Sequence, residues 1–234
     1  MRMRRRPNLQ PRMQQCAAVW VQDAKALQGA WRTKMPGAQQ LWVEVGCGKG
    51  TFTIETAKKN PDVLVVAIEK VPDALVVAME RAVRENVKNV LFISEDAAQL
   101  CEIFAYGEVD RLFLNFCDPW PRAKNAKRRL TYHTFLARYA WILKAGGQLE
   151  FKTDNAKLFA FSLEEFSGYG WELTQVTEHL HANGPVGIMT DYEARFYELG
   201  TPICRCVASA TQRPAEDADL SDPTRRMREE KFGA

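Results

Sequence analysis

Short apolar runs and amphipathic stripes alternate along this chain. Residues 41–45, reading LWVEV, are apolar and partly β-branched and predict a buried strand. Thr51 to Lys59 carries Phe52, Ile54 and Ala57 at helical spacing, and Asn60-Pro61-Asp62 ends it. Residues 63–68 predict a second strand. Pro72-Asp73 then opens a helix whose Leu75, Val76, Met79, Ala82 and Val83 form one apolar stripe. Further strands are expected at 89–94 and 108–116, with a short helix at 100–104 between them. A helix from Thr131 shows Phe135, Leu136, Tyr139, Ile142 and Leu143 on one face. Ala145-Gly146-Gly147 turns into a fifth strand at 148–153, and a helix from about Asn155 points Phe159, Leu163 and Phe166 inward. Residues 171–180 and 195–207 alternate loosely and predict two closing strands, joined by a loop over 181–193. Five strand–helix units in alternation predict an α/β fold: a mostly parallel, seven-stranded sheet with helices on both faces.

The flanks differ from this core. Residues 1–15 read as a basic arm, with Arg2, Arg4, Arg5, Arg6 and Arg12, and 16–31 are weakly helical before Met35-Pro36-Gly37 breaks the chain. From Ser209 the sequence turns polar and charged, which predicts a disordered tail. The expected organisation is an arm and helix over 1–37, one domain over 38–208 and a tail over 209–234. A length of 234 residues suits one good-sized domain with additions.

Composition removes several function classes. No apolar run approaches a membrane span, and no apolar segment follows the first arginines as a secretory signal requires. The six cysteines form no C-x-x-C and the three histidines are scattered, so a zinc site is not expected. Free thiols fit a reducing cytoplasm, the expected location; the sequence leaves monomer and homodimer open. The net charge is only +3, but the positives are clumped: Arg122, Lys124, Lys127, Arg128 and Arg129 share one acid-free window. Such clumps in a nearly balanced chain point to a polyanion, nucleic acid first.

The first strand carries Glu44 near its end and breaks into Gly46, Gly48 and Gly50. A dinucleotide loop needs Gly-x-Gly-x-x-Gly, and a phosphate loop needs Lys followed by Ser or Thr; neither frame is present. An acid just before the glycines repels a phosphate and suits a cationic ligand or an amine. Acid-x-Gly-x-Gly-x-Gly after a first strand is similar to the loop of class I S-adenosylmethionine-dependent methyltransferases. That resemblance implies a Rossmann-like fold and a cofactor carrying a sulfonium and an ammonium. Glu69 ends the second strand, where a carboxylate can accept from both hydroxyls of a ribose. Asp96 and Ala97 end the third, where a carboxylate and backbone amides could read an adenine amino group. With Asp118 and Asp154, five strand ends carry acids, and in an open α/β sheet these ends share the ligand-binding edge.

The segment Asn115-Phe116-Cys117-Asp118-Pro119-Trp120-Pro121 stands at the acceptor position and admits three readings. One is methylation of an amino group, because Asn-x-x-Asp-Pro-Trp resembles the Asp-Pro-Pro-Tyr type of adenine amino methyltransferases. Another is covalent catalysis by a Cys117 thiolate on a pyrimidine. The third comes from the wider pattern. NFCDPWP, the basic window ending KRRLTYHTFL, FKTDN and MTDYEARF together resemble the bacterial tRNA (guanine-N7)-methyltransferase family, from the opening MRMR to about Val207.

The resemblance implies methyl transfer from S-adenosylmethionine to N7 of guanosine 46 in the variable loop of tRNA. It implies that Glu44, Glu69, Asp96 and Asp118 hold or border the cofactor, with Gly46, Gly48, Gly50 and Ala97 beside it, and that Asp118 is catalytic. Arg122, Asp154, Thr190, Asp191, Tyr192 and Glu193 correspond to substrate-contacting positions, and Lys124 to Arg129, with Lys127 and Arg128, to an RNA-contacting loop. Here the chain departs from the family's Pro-Lys-x-Arg-His-x-Lys-Arg-Arg: it reads Pro-Arg-Ala-Lys-Asn-Ala-Lys-Arg-Arg, with Asn125 in place of His. Arg195 stands where the family commonly has Lys. An amino-group RNA methyltransferase and a non-catalytic tRNA-binding protein of the same fold are the alternatives.

Overall fold

The computed structural model describes residues 7–218 and 220. Seven strands form one sheet in the order β3-β2-β1-β4-β5-β7-β6. They are β1 (Gln40–Val45), β2 (Val63–Ile68), β3 (Val90–Ile93), β4 (Val109–Asn115), β5 (Leu143–Thr153), β6 (Trp171–Thr177) and β7 (Cys204–Ala210). The first five are parallel, and β7 is antiparallel to both β5 and β6. The strand order reverses direction between β1 and β4, so a crevice opens at their carboxyl ends.

Strand alternation divides the interior into two layers. Leu41, Val43 and Val45 join Leu112, Leu114, Leu149 and Phe151 on one face. There they meet α4 (Leu100–Ile103), α5 (His133–Ile142) and α6 (Ala156–Gly168) through Ile103, Leu136, Tyr139 and Phe159. On the opposite face Val65, Ala67 and Phe92 pack under α2 (Thr51–Lys59) and α3 (Pro72–Arg84), whose Ile54, Leu75 and Met79 are fully buried. β2 is buried on both faces, which is why its sequence, VLVVAI, has no polar alternation.

The right half of that second face is different. β4 and β5 present Arg111, Phe113, Asn115, Glu150 and Lys152 there, in register with one another. α2 touches this half through Phe52, whose ring lies 5.1 Å from that of Phe113. The chain between β6 and β7, a loop and the helix α7 (Asp191–Glu198), closes over Lys152.

Several expectations need correction. The closing strand expected at 195–207 begins only at Cys204, because 191–198 is helical. Thr190 Oγ1 accepts from the Glu193 amide at 3.0 Å and the Glu193 carboxylate accepts back from the Thr190 amide at 3.3 Å. This reciprocal cap satisfies two free donors and starts the helix. β5 starts at Leu143, which was expected on the preceding helix, and β6 stops at Thr177. The stretch 16–37 is made of turns and two 3-10 segments, with Trp20 bridging to Phe92 beside β3. The expected arm is helical over α1 (Leu9–Gln15), and Arg12 is bound there by Glu80 of α3 through two bonds of 2.6 and 2.7 Å. Arg2, Arg4, Arg5 and Arg6 lie outside the described residues. The expected boundary after residue 208 falls inside β7, and the chain beyond it stays on the domain: Arg213 stacks 4.0 Å over Tyr106, and Trp141 donates to the Glu216 carbonyl at 3.1 Å. Of the expected tail, residue 219 and residues 221–234 are outside the described set.

Candidate active site

The glycine loop joins β1 to α2. Gly46, Gly48 and Gly50 all have positive φ, at 82°, 56° and 78°. Gly50 is further constrained, since a Cβ there would lie 2.6 Å from that of Ala78; α2 and α3 can approach only across a glycine. Nothing lies within 4 Å of a Cβ built at Gly46 or Gly48, so the loop turns its open side to the crevice.

Each acid at the strand ends is held differently. Glu44 is 1 % exposed and lies under the loop. Its carboxylate accepts from Thr53 Oγ1 and, at 2.9 Å, from Asn115 Nδ2. Burial pushes its pKa up, against the lowering effect of these bonds and of the nearby Lys152 charge. Glu69 is half-buried and accepts from the Gly48 amide at 2.9 Å and the Val71 amide at 2.8 Å, which ties the loop to the end of β2. Asp96 accepts from Lys70 at 2.5 Å and the Ala98 amide at 2.9 Å; these bonds hold its carboxyl below the usual range. Ala97 is buried behind it.

Asp118 follows β4 and is exposed. The backbone around it is strained: Phe116 and Trp120 both have positive φ, 54° and 40°, which bulky residues rarely adopt. Arg129 explains how the turn holds. It donates from Nε to the Pro119 carbonyl and from a terminal nitrogen to the Trp120 carbonyl, each at 3.0 Å, while its guanidinium lies 4.2 Å over the Phe161 ring. Arg129, half-buried, therefore braces the Asp118 turn, a task its expected place in an RNA-contacting loop does not name. Arg128 stacks 4.1 Å over the Trp120 ring from outside. Lys124, Lys127 and Arg128 are exposed on a 3-10 segment, Ala123–Arg128, shortly after Asp118, and Arg122 is exposed at its N-terminal cap.

Cys117 does not fit a nucleophile. Burial, then the Asp118 carboxylate, pushes its thiol up to about 12, so a thiolate is scarce at neutral pH. Asp154 stands at the end of β5, half-buried, before the Asn155 cap of α6. Of the 190–193 group, Asp191 and Tyr192 are exposed and Thr190 is half-buried. The Tyr192 ring lies 6.1 Å from that of Phe116, which brings α7 to the Asp118 turn. Glu193 is 0 % exposed and bonded to Lys152, so it cannot touch a substrate directly. The sheet thus brings Glu44, Glu69, Asp96, Asp118 and Asp154 to one edge, spread over about 19 Å at the usual strand spacing. Lys152 and Arg129 were missed as site-building residues; the motifs that contain them name the stretch, but side-chain direction decides their role.

Fold and edge together define a class I methyltransferase-like protein. A 16S rRNA (adenine(1408)-N(1))-methyltransferase from Catenulisporales acidiphilia is similar at TM-score 0.59 and 17 % identity, covering 80 % of this chain and 94 % of that one. The 16S rRNA methyltransferase KamB is similar at TM-score 0.62 and 14 % identity, over 79 % and 94 %. At such identities the likeness shows the fold alone. A family model described as "Putative methyltransferase" matches residues 38–206. A tRNA (guanine-N(7)-)-methyltransferase of an Exiguobacterium species is 44 % identical, over 89 % of this chain and 97 % of that protein. One from Bacillus velezensis is 40 % identical over 88 % and 95 %. The chain belongs to the bacterial tRNA (guanine-N(7)-)-methyltransferase family.

Proposed function

We propose that this protein methylates N7 of guanosine 46 in the variable loop of tRNA, with S-adenosylmethionine as the methyl donor. The observation that carries the reading is the strained turn that presents Asp118 at the crevice, flanked by a window of exposed cations.

The residues present fit that donor. The loop offers open backbone at Gly46 and Gly48. Its surroundings are carboxylates, as a cofactor with a sulfonium and an ammonium requires. The oxygens of Glu69, though engaged by two amides, keep lone pairs for ribose hydroxyls. Glu44 supports the loop from beneath and contributes negative field. Asp96 and Ala97, at the end of β3, would hold the cofactor's adenine end. When bound, the cofactor supplies an electrophilic methyl group.

Guanine N7 is a lone pair without a proton, so no side chain has to act as a general base. The protein's work is alignment and exclusion of water. Asp118 accepts from the guanine ring N–H and amino group, which leaves N7 directed towards the donor. Tyr192, 60 % exposed beside Phe116, offers a ring against which the base can lie. Arg122 follows the Asp118 turn, and Asp154 stands at the end of the neighbouring β5. N7 is on the major-groove edge and engaged in folded tRNA, so the base must leave its stack. Lys124, Lys127 and Arg128 grip phosphates and supply salt-dependent affinity.

Mass analysis of nucleosides from tRNA transcript treated with enzyme and labelled donor tests this. Label in 7-methylguanosine is expected; label in an amino-methylated adenosine or guanosine would replace the reading with its closest rival.

A further inference from the structure

Lys152 is a buried cation for which the reading above has no task. It lies near the end of β5, two residues before Asp154, with its side chain 3 % exposed. Nζ donates to Glu193 Oε2 at 2.6 Å and to the Ile188 carbonyl at 3.0 Å, and stands 5.0 Å from the centre of the Phe52 ring. Glu193 is itself a hub, because its other oxygen faces His181 Nε2 at 3.0 Å while it caps Thr190. His181 Nδ1 accepts from the Val186 amide at 3.1 Å, which places the ring hydrogen on Nε2, donating to Glu193. One ammonium therefore ties the segment 186–193 to the sheet.

Pulling this segment off the sheet would strand a buried ammonium and a buried carboxylate without partners, which is strongly unfavourable. The segment holds Tyr192, and Tyr192 meets Phe116 of the Asp118 turn. We propose that Lys152 is a positioning residue that docks the 186–193 segment on β5 and so sets Tyr192 against the Asp118 turn. The inference rests on the reading of this edge as the methyl-transfer site. Lys152 touches neither nucleobase nor cofactor in this account; it acts through Glu193.

The test is hydrogen–deuterium exchange on the full chain without ligands, paired with steady-state transfer. In Lys152→Met, amides of 186–193 should exchange about tenfold faster or more, with β1 and α2 unchanged. Glu193→Gln, which keeps volume and one acceptor, should show the same local change and serves if Lys152→Met does not fold. Lys152→Arg keeps the charge and should restore most of the protection. In the transfer assay Lys152→Met should lower kcat by about 100-fold, as expected for a misplaced acceptor wall, while donor affinity stays near that of the parent. Unchanged exchange in both Lys152→Met and Glu193→Gln would overturn the proposal. So would a kcat unchanged despite faster exchange. If exchange responds as stated but the parent protein transfers no methyl to tRNA, the dock stands and the proposed activity fails.

Discussion

Asp118 and Cys117 are neighbours with opposite fates. The carboxylate is exposed at the crevice, and the thiol beside it turns into the protein. With its thiol pushed up to about 12, Cys117 is protonated throughout the physiological range and titrates only in strong alkali. Alkylation by iodoacetamide, followed by mass spectrometry across pH 6 to 9 (roughly the span of an ordinary thiol), should leave Cys117 unlabelled. Cys117→Ala should keep transfer close to the parent rate. Rapid labelling at neutral pH, together with loss of activity in the alanine variant, would return the covalent reading. Arg129 shows what residue type alone conceals. Sequence places it in a run of cations that suits RNA, and only the bonds to the Pro119 and Trp120 carbonyls reveal it as a brace. Glu193 is the same lesson with the opposite charge, an acid in a substrate motif that is spent internally on Lys152 and Thr190.

At the scale of elements, legibility followed hydrophobic period. β1, β2, α2 and α3 have apolar residues on two faces or on one stripe, and their expected bounds match within a residue or so. The strand ends and the glycine loop were legible because acids and glycines break those periods sharply. α7 was not. Gly184, Pro185 and Gly187 announce a loop, and the tyrosine and phenylalanine residues that follow look as much like a strand as a helix. The signal that could have found it is Thr-x-x-Glu at 190–193, a capping box in plain sequence. Thr190→Ala removes that cap and should destabilise by about 1 kcal/mol, read as a shift of the urea midpoint at unchanged slope. No change in the midpoint would mean that Lys152 alone holds the helix start. The start of β5 at Leu143 was hidden for a different reason: an apolar residue at a helix end also fits the first position of a buried strand, and pairing of Leu143 with Val109 decides it.

For the whole molecule, charge is organised more tightly than a net of +3 suggests. Some cations are spent inside the fold: Arg12 binds Glu80, Arg111 and Arg205 share Glu150, and Arg129 braces the turn. The exposed ones after Asp118 remain for a polyanion. Among the described residues no helix is long and apolar enough to cross a membrane. Reversing Lys127 and Arg128 to Glu should weaken tRNA binding and lower the salt slope by about 2, while donor affinity holds. Equal loss of both affinities would make the window structural. The proposed activity has this edge deliver a methyl group to N7 of the variable-loop guanosine under the control of Asp118. Borohydride reduction and aniline cleavage of enzyme-treated tRNA transcript reads out that step, because the strand breaks only where N7 is methylated. Cleavage at guanosine 46 is expected with the parent protein, and loss of about 100-fold or more of the rate with a folded Asp118→Asn variant. Methyl incorporation without cleavage would move the methyl off N7, and full cleavage by Asp118→Asn would remove Asp118 from the transfer step.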